Sequence, residues 1–249
     1  MNFSDLGGFV LKCIPMVFQE KMVQALLDDR MSVTRRPISI EDITKLKSAA
    51  VTLGVKSITD PSAQSCLSGF APCQVGDHIW VRETWGVVSH CTDENGVHSS
   101  WVPNRDAQPI SELKYGSGYY SGHVIYRSDG EFIWENDIGD AVSAWHSPIS
   151  MNKSVSRITL RVKSVRIQRL KDITDEDAIA EGMPTEAEAK AMAVDAGLSW
   201  YDKPKKWFKR MWINTYGDKS WNLDDYVWVF DFEAVKSNVL TVVNQNSKI

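Results

Sequence analysis

A strand whose apolar residues change sides sets the first constraint on the fold. In residues 157–167, the apolar residues up to Val162 alternate onto one face, whereas Val165 and Ile167 have the opposite parity. Because successive side chains of a strand point to opposite faces, this change predicts a bulge near residues 163–164 that bends the strand. Strongly bent strands are what small β-barrels need.

A second predicted strand, residues 79–88, carries a carboxylate among apolar residues. Glu83 shares its face with Ile79, Val81, Trp85 and Val87, and the other face holds Trp80, Arg82 and Thr84. A buried carboxylate needs a cationic or hydrogen-bonding partner, or it gives up its charge. Arg35 and Arg36 are the candidate partners. A functional acid is one interpretation of the pattern, and an inert structural ion pair or a face that is not buried is an equally consistent one.

Those two arginines lie where a predicted helix meets an extended segment. Helical spacing of apolar residues over 17–27 predicts the helix, and Pro37 favours an extended backbone in the residues before it. In an extended segment Ser32, Thr34 and Arg36 share one face, while Arg35 lies on the other. Such a face suits a phosphate or a polarised carbonyl. Surface arginines that pair with nearby acids are the alternative.

Size and composition indicate an ordinary globular protein. The 249 residues are 43% hydrophobic and 24% charged, enough for one large domain or two small ones. No apolar run approaches the roughly 20 residues of a membrane helix, and residues 1–8 lack the pattern of a signal peptide. We therefore expect no membrane partner and a cytoplasmic location.

The charge distribution leaves two interpretations open. A formal net charge of -4 argues against general nucleic-acid binding, yet residues 153–171 contain seven Lys or Arg and no acid. A solvated sheet face and a nucleic-acid backbone both explain Arg157, Arg161 and Lys163 on one side of a strand.

The cysteines give no metal pattern. A zinc site could draw on five residues, but their spacing fits no familiar zinc motif. These are Cys66, Cys73, His90, Cys91 and His98. We expect reduced thiols, no metal and no cofactor.

Local signals place further elements. Ser39, Thr174 and Thr185 are predicted helix N-caps, and Glu181 falls in the last turn of the helix that Gly182 ends. Elsewhere the pattern predicts a helix over 203–216, a strand over 226–234, a hairpin around Ser-Asp-Gly at 128–130, and an excursion from the sheet over 89–118.

Four stretches resemble the ASCH domain family, relatives of the PUA fold, and in particular its longer bacteriophage version. The family pattern Gly-Arg-Lys-Thr-x-Thr-Arg-Arg-Pro stands at 29–37 as Asp-Arg-Met-Ser-Val-Thr-Arg-Arg-Pro. Residues 76–85, Gly-Asp-His-Ile-Trp-Val-Arg-Glu-Thr-Trp, are close to a second family string. The third stretch is 145–157, and the fourth runs from 170–174 through Glu181 and Gly182 to 226–230.

The resemblance implies an α+β fold: a small, bent PUA-like β-barrel with helices packed around it. It implies one domain over 10–235, with insertions at about 38–75 and 89–118 and a tail at 236–249. Family members are thought to bind RNA, and some relatives remove the acetyl group from acetylcytidine with a Lys, a Thr and a Glu. Thr34 and Glu181 match the last two, but Met31 stands at the Lys position. A thioether can neither accept a proton nor supply positive charge, so that mechanism lacks a step here unless another base, such as Glu83, substitutes.

The leading functional hypothesis is recognition of nucleic acid or of a modified nucleoside, with RNA the expected partner and DNA left open. Its expected binding residues are Arg35, Arg36, Arg82, Trp85, Trp145 and Arg157. The first alternative is an amidohydrolase or esterase acting on an acylated base, with Thr34 as nucleophile and Glu83 and Glu181 in acid-base roles. The second is a phage protein that binds a host protein.

Overall fold

The computed structural model describes residues 11–92, 97–135, 140–223 and 225–246. Residues 1–8, on which the expectation about a signal peptide depended, lie outside these ranges, as do residues 247–249 of the predicted tail. Within the described ranges, no helix combines the length and the apolar character that a membrane span requires.

The fold is α+β, as the sequence predicts. The described residues form seven α-helices, which are α1 (Glu20–Leu27), α2 (Ile40–Thr52), α3 (Gln64–Leu67), α4 (Asp175–Ala180), α5 (Glu186–Asp195), α6 (Pro204–Leu223) and α7 (Val239–Asn246). The first strands are β1 (Cys13–Val17), β2 (Val33–Pro37), β3 (His78–Arg82), β4 (Trp85–Val88), β5 (His90–Thr92) and β6 (His98–Ser100). The others are β7 (Gln108–Tyr115), β8 (Gly118–Tyr126), β9 (Trp134–Glu135), β10 (Ala141–Val142), β11 (Thr159–Arg169) and β12 (Tyr226–Val235).

The largest sheet has five strands in the order β1-β3-β11-β12-β2. Strands β12 and β2 are antiparallel, with Phe230 opposite Thr34 and Val229 opposite Arg35. The short strand predicted before Pro37 is therefore confirmed. Strand pairings among the described residues do not join β1 to β2, so the closed barrel is not confirmed.

Two predictions about strands are wrong. The single strand expected over 79–88 is divided into β3 and β4, which belong to different sheets, and Glu83 lies at the break between them. The expected hairpin around 128–130 is a 3-10 turn over Arg127–Asp129 instead, because β8 pairs with β4 and β7. The region 89–118, expected to be an excursion from the sheet, contributes β5, β6 and β7, none of which belongs to the five-stranded sheet.

Helix starts follow the predicted caps. Ser39, Thr174 and Thr185 each accept a hydrogen bond from the backbone N–H three residues later. The last two form full capping boxes, in which the acid at the third position accepts from the cap backbone. Gly182 follows α4 with a φ of 86°, a left-handed conformation that glycine adopts without the strain of a side chain.

The described chain divides into two compact units, and the prediction of one domain stays a prediction. The first unit takes its described residues from 1–14, 28–79 and 160–235. Its core packs β2, β12 and α4 against aromatic residues of α6, among them Phe208 and Trp212.

The second unit comprises described residues from 15–27, 80–159 and 236–249. Its three-stranded sheet, ordered β4-β8-β7, packs Trp85, Leu113, Val124 and Tyr126 against Met151 and Val155. A smaller cluster of Val88, Trp101 and Ile125 lies beside Phe132, Trp134 and Trp145.

Candidate functional site

In the first unit, Arg35 is the centre of a buried ionic cluster. Its Nη1 donates to Oε1 of Glu181 at 3.1 Å, and its Nη2 lies 3.0 Å from both Gln168 Oε1 and Asp177 Oδ2. The side chain of Arg35 is fully buried, and that of Glu181 is 1% exposed. Arg166 extends the cluster from Asp177 to Asp231. The charge of Arg35 is therefore already matched by protein carboxylates.

The end of α4 places Glu181 beside the segment that precedes β2. The Ser32 N–H donates to the Ala180 carbonyl at 2.9 Å, and Met31 forms an isolated antiparallel bridge with Glu181. Burial raises the pKa of Glu181 to about 7, an effect that the neighbouring Arg35 guanidinium opposes. Such a carboxyl group can gain or lose a proton near neutral pH, as acid-base catalysis requires.

Thr34 is buried with no hydrogen-bond partner for its hydroxyl among the described residues. The unit thus contains the residues that match the catalytic pattern of the ASCH resemblance, and Met31, at the Lys position, is only 3% exposed and bridges to Glu181. All of them are closed to solvent in this conformation.

In the second unit, Glu83 has a different partner from the one expected. Arg157, not Arg35 or Arg36, pairs with it: Nε and Nη2 each donate to a Glu83 carboxylate oxygen at 3.0 Å. The sequence pattern could not distinguish among several arginines. The Ser128 hydroxyl donates to the same carboxylate at 2.5 Å, and Glu83 is 1% exposed.

The guanidinium of Arg157 already has several partners within the protein. Its guanidinium makes two 2.8 Å contacts with the Asp129 carboxylate and lies 4.0 Å from the centre of the Tyr126 ring. A bidentate, mostly buried pair of this kind fixes local geometry, and it leaves little positive charge for a phosphate.

Three positively charged side chains of the second unit surround an open groove of about 660 Å³. Arg82, Lys114 and Lys153 line it, and within the described residues none of the three makes an ion pair. The Arg82 guanidinium lies 4.6 Å from the centre of the Trp80 ring. In the part of the chain that the structure describes, no acidic residue lines the groove.

Aromatic residues form one wall of this basic groove. Tyr115 lines it and packs against Tyr120 at 5.2 Å and His146 at 4.7 Å between ring centres. Burial lowers the pKa of His146, which favours its neutral form. The neighbouring rings thus hold the Tyr115 ring in place. Ile149, which also lines the groove, is 72% exposed.

Comparison of the chain with protein-family models, curated proteins and solved structures finds no match. The assignment of a site therefore depends on the geometry and on the sequence resemblance.

The structure separates the predicted binding residues into four groups. Arg82 lines the basic groove, whereas Arg35 and Arg157 are held in ion pairs. Trp85 is fully buried and presents no face to a ligand. Arg36 donates to the Tyr216 hydroxyl, and Trp145 donates to Glu131.

Of the ten described residues that line the groove, only Arg82 was predicted; the aromatic and charged residues missed are Trp80, Lys114, Tyr115 and Lys153. Trp80 lies two residues before Arg82 on the same strand face, which is the one sequence signal that could have identified it. As for a zinc site, no three His, Cys, Asp or Glu side chains gather as metal ligands would in the part of the chain that the structure describes.

Proposed function

We propose that this protein recognises single-stranded nucleic acid, RNA in particular, or a modified nucleoside within it, through the basic groove. The observation that carries the proposal is that Arg82, Lys114 and Lys153 surround an open groove without an anionic partner. The sequence resemblance supports it, since ASCH proteins are thought to bind RNA. On the basis of the same resemblance, we also propose that the five-stranded sheet forms a PUA-like barrel.

The chemistry of the groove suits both parts of a nucleotide. Unpaired cations attract phosphates, and an aromatic face such as that of Tyr115 can stack on a base. Single strands expose base faces that a duplex hides. We assign no phosphate contact to Arg35 or Arg157, because a protein carboxylate already occupies each guanidinium.

We expect the double variant Arg82→Ala/Lys114→Ala to bind labelled single-stranded RNA about 10- to 100-fold more weakly than the wild type. Fluorescence anisotropy measures the affinity over a series of salt concentrations. Each lost phosphate contact should make the slope of log affinity against log salt shallower by about 0.7.

Lys45→Ala is the matched control. It removes one positive charge where the groove variant removes two, and Lys45 lies on α2, paired with Glu41 and Asp42. Its affinity should equal that of the wild type. The proposal fails if wild-type protein does not bind RNA, or if the groove variant keeps both wild-type affinity and salt slope. Parallel titrations with DNA of the same sequence decide between RNA and DNA.

An amidohydrolase is the second candidate, favoured by a buried Thr34 hydroxyl without a partner and by a Glu181 carboxyl whose raised pKa is about 7. The nucleophile would be Thr34, with Glu181 in the acid-base role. Glu83 is less suited, because Arg157 and Ser128 occupy its carboxylate. The alternative of a host-protein partner stays a prediction.

Release of cytidine from acetylcytidine tests this candidate. If it is right, the wild type releases cytidine, and Thr34→Val, which removes only the nucleophilic oxygen, lowers the rate by at least about 10²-fold. Wild-type protein that releases no cytidine, or a Thr34→Val variant as fast as the wild type, excludes Thr34 as the nucleophile.

A further inference from the structure

The second unit contains another cavity, of about 240 Å³, with a different chemical character. Three aromatic side chains line it, those of Trp101, Phe132 and Trp134, together with the carboxylate-bearing Glu135. At about 30 Å³ per water molecule, the cavity has room for about eight waters. That volume suits the head group of a ligand rather than an entire drug-sized molecule.

The aromatic rings are arranged as adjoining walls. Trp101 and Phe132 lie edge to face, 5.7 Å apart at 84°, and Phe132 and Trp134 lie 4.7 Å apart at 65°. Rings at steep angles cannot clamp a flat base between parallel faces. They can surround a compact, rounded group on several sides.

Neighbouring residues hold one of these walls in place. The Trp134 Nε1 donates to the Val87 carbonyl at 3.1 Å, and Trp145 packs against the same ring at 89° and 5.0 Å. A Cβ atom on Gly86 would come within 2.8 Å of the Trp134 ring, so glycine permits this close approach. The wall is therefore organised before a ligand arrives, which limits the entropy lost on binding.

The charge of the cavity selects for a cation. Among the described residues that line it, Glu135 is the only Asp, Glu, Lys or Arg, His90 is the one other residue with a titratable ring, and the Glu135 carboxylate has no ion-pair partner in the described chain. The faces of aromatic rings also carry partial negative charge. An anion would therefore be repelled here, in contrast to the basic groove.

We propose that this aromatic cavity binds an alkylammonium cation, meaning a quaternary or trimethylated ammonium group. Methyl groups spread the positive charge and weaken its hydration. Such a cation therefore loses less hydration free energy on leaving water than a bare ammonium does. The rounded trimethylammonium head fits walls at steep angles, and Glu135 supplies the counter-charge. The site is independent of the proposed nucleic-acid groove.

Two sources share this chemistry, and the experiment separates them. One arm titrates the protein with choline, and the other with a short peptide that contains trimethyllysine, both followed by tryptophan fluorescence and calorimetry. The matched controls are 3,3-dimethylbutanol, which has the shape of choline without its charge, and the same peptide with unmodified lysine. We expect the cation to bind at least about 10-fold more tightly than its control in at least one arm.

Variants connect the binding to these residues. Phe132→Leu should weaken cation binding by about 3- to 30-fold, and Glu135→Gln by about 2- to 5-fold. Glu112→Gln removes an exposed carboxylate on β7 outside the cavity and should leave binding unchanged. Circular dichroism confirms that each variant folds.

Three results would overturn the proposal: no binding of either cation at millimolar concentration, equal binding of choline and its neutral analogue together with equal binding of both peptides, or wild-type affinity in both cavity variants. Binding of the peptide alone identifies a protein side chain as the ligand. Choline binding identifies a free small molecule.

Discussion

Replacing Arg157 with methionine is expected to lower the free energy of unfolding by about 3 to 5 kcal/mol. The variant leaves the Glu83 carboxylate 1% exposed with only the Ser128 hydroxyl as a partner, and it also removes the contacts to Asp129. A carboxylate that stays buried without its cation loses hydration and gains no Coulomb attraction in return. Urea unfolding followed by tryptophan fluorescence measures the loss.

A second substitution separates loss of the ion pair from loss of packing. In Glu83→Gln/Arg157→Met the buried charge is gone, and the amide can still accept from Ser128. We therefore expect the double variant to be more stable than Arg157→Met alone. Arg30→Met is the matched control, since Arg30 and its partner Asp28 are 41% and 59% exposed, and it should cost under about 1 kcal/mol. A similarly small cost for Arg157→Met would mean that the pair does not stabilise the unit.

The carboxyl group of Glu181 should make stability depend on pH in an unusual direction. Its folded-state pKa of about 7 lies above the ordinary value of 4.5, so the native state holds a proton that the unfolded state has released. The stabilisation from this group is fully present below pH 4.5, and it is lost as pH rises through 7. The difference between the two pKa values corresponds to about 3 kcal/mol, an order-of-magnitude figure.

Glu181→Gln removes this titration while Asp177 continues to pair with Arg35. We expect the stability of the wild type relative to Glu181→Gln to fall by about 3 kcal/mol between pH 5 and pH 8. Urea unfolding at several pH values measures the difference. Glu176→Gln, which changes an exposed carboxylate on the same helix, should track the wild type. If the stability of the Glu181→Gln variant depends on pH as that of the wild type does, the Glu181 carboxyl group has an ordinary pKa.

If the proposals hold, the chain divides its arginines between structure and recognition. Arg35 and Arg157 each neutralise a buried carboxylate, at Glu181 and Glu83. Arg82 has no such partner among the described residues and lies over Trp80 at the edge of an open groove. Adjacent arginines in a motif are therefore weaker evidence for phosphate binding than an unpaired cation beside an aromatic ring.

The sequence alone determined the features that depend on a few neighbouring residues. The caps at Ser39, Thr174 and Thr185 follow from local hydrogen bonds, and the short β2 follows from the extended backbone that Pro37 favours. These signals act over four or five residues, so the local sequence contains all the residues that produce them.

Only the tertiary structure decided the partners. Glu83 pairs with Arg157, 74 residues away, and Arg35 pairs with Glu181, 146 residues away. Residue type and spacing in the sequence could not single out these partners, because several other arginines and acids fitted equally well. The division into β3 and β4 depends on which strands pair with each half. The basic groove is lined by residues from three segments, 80–82, 114–116 and 149–153. Tertiary packing brings these distant segments together, and the periodicity of the sequence does not predict such contacts.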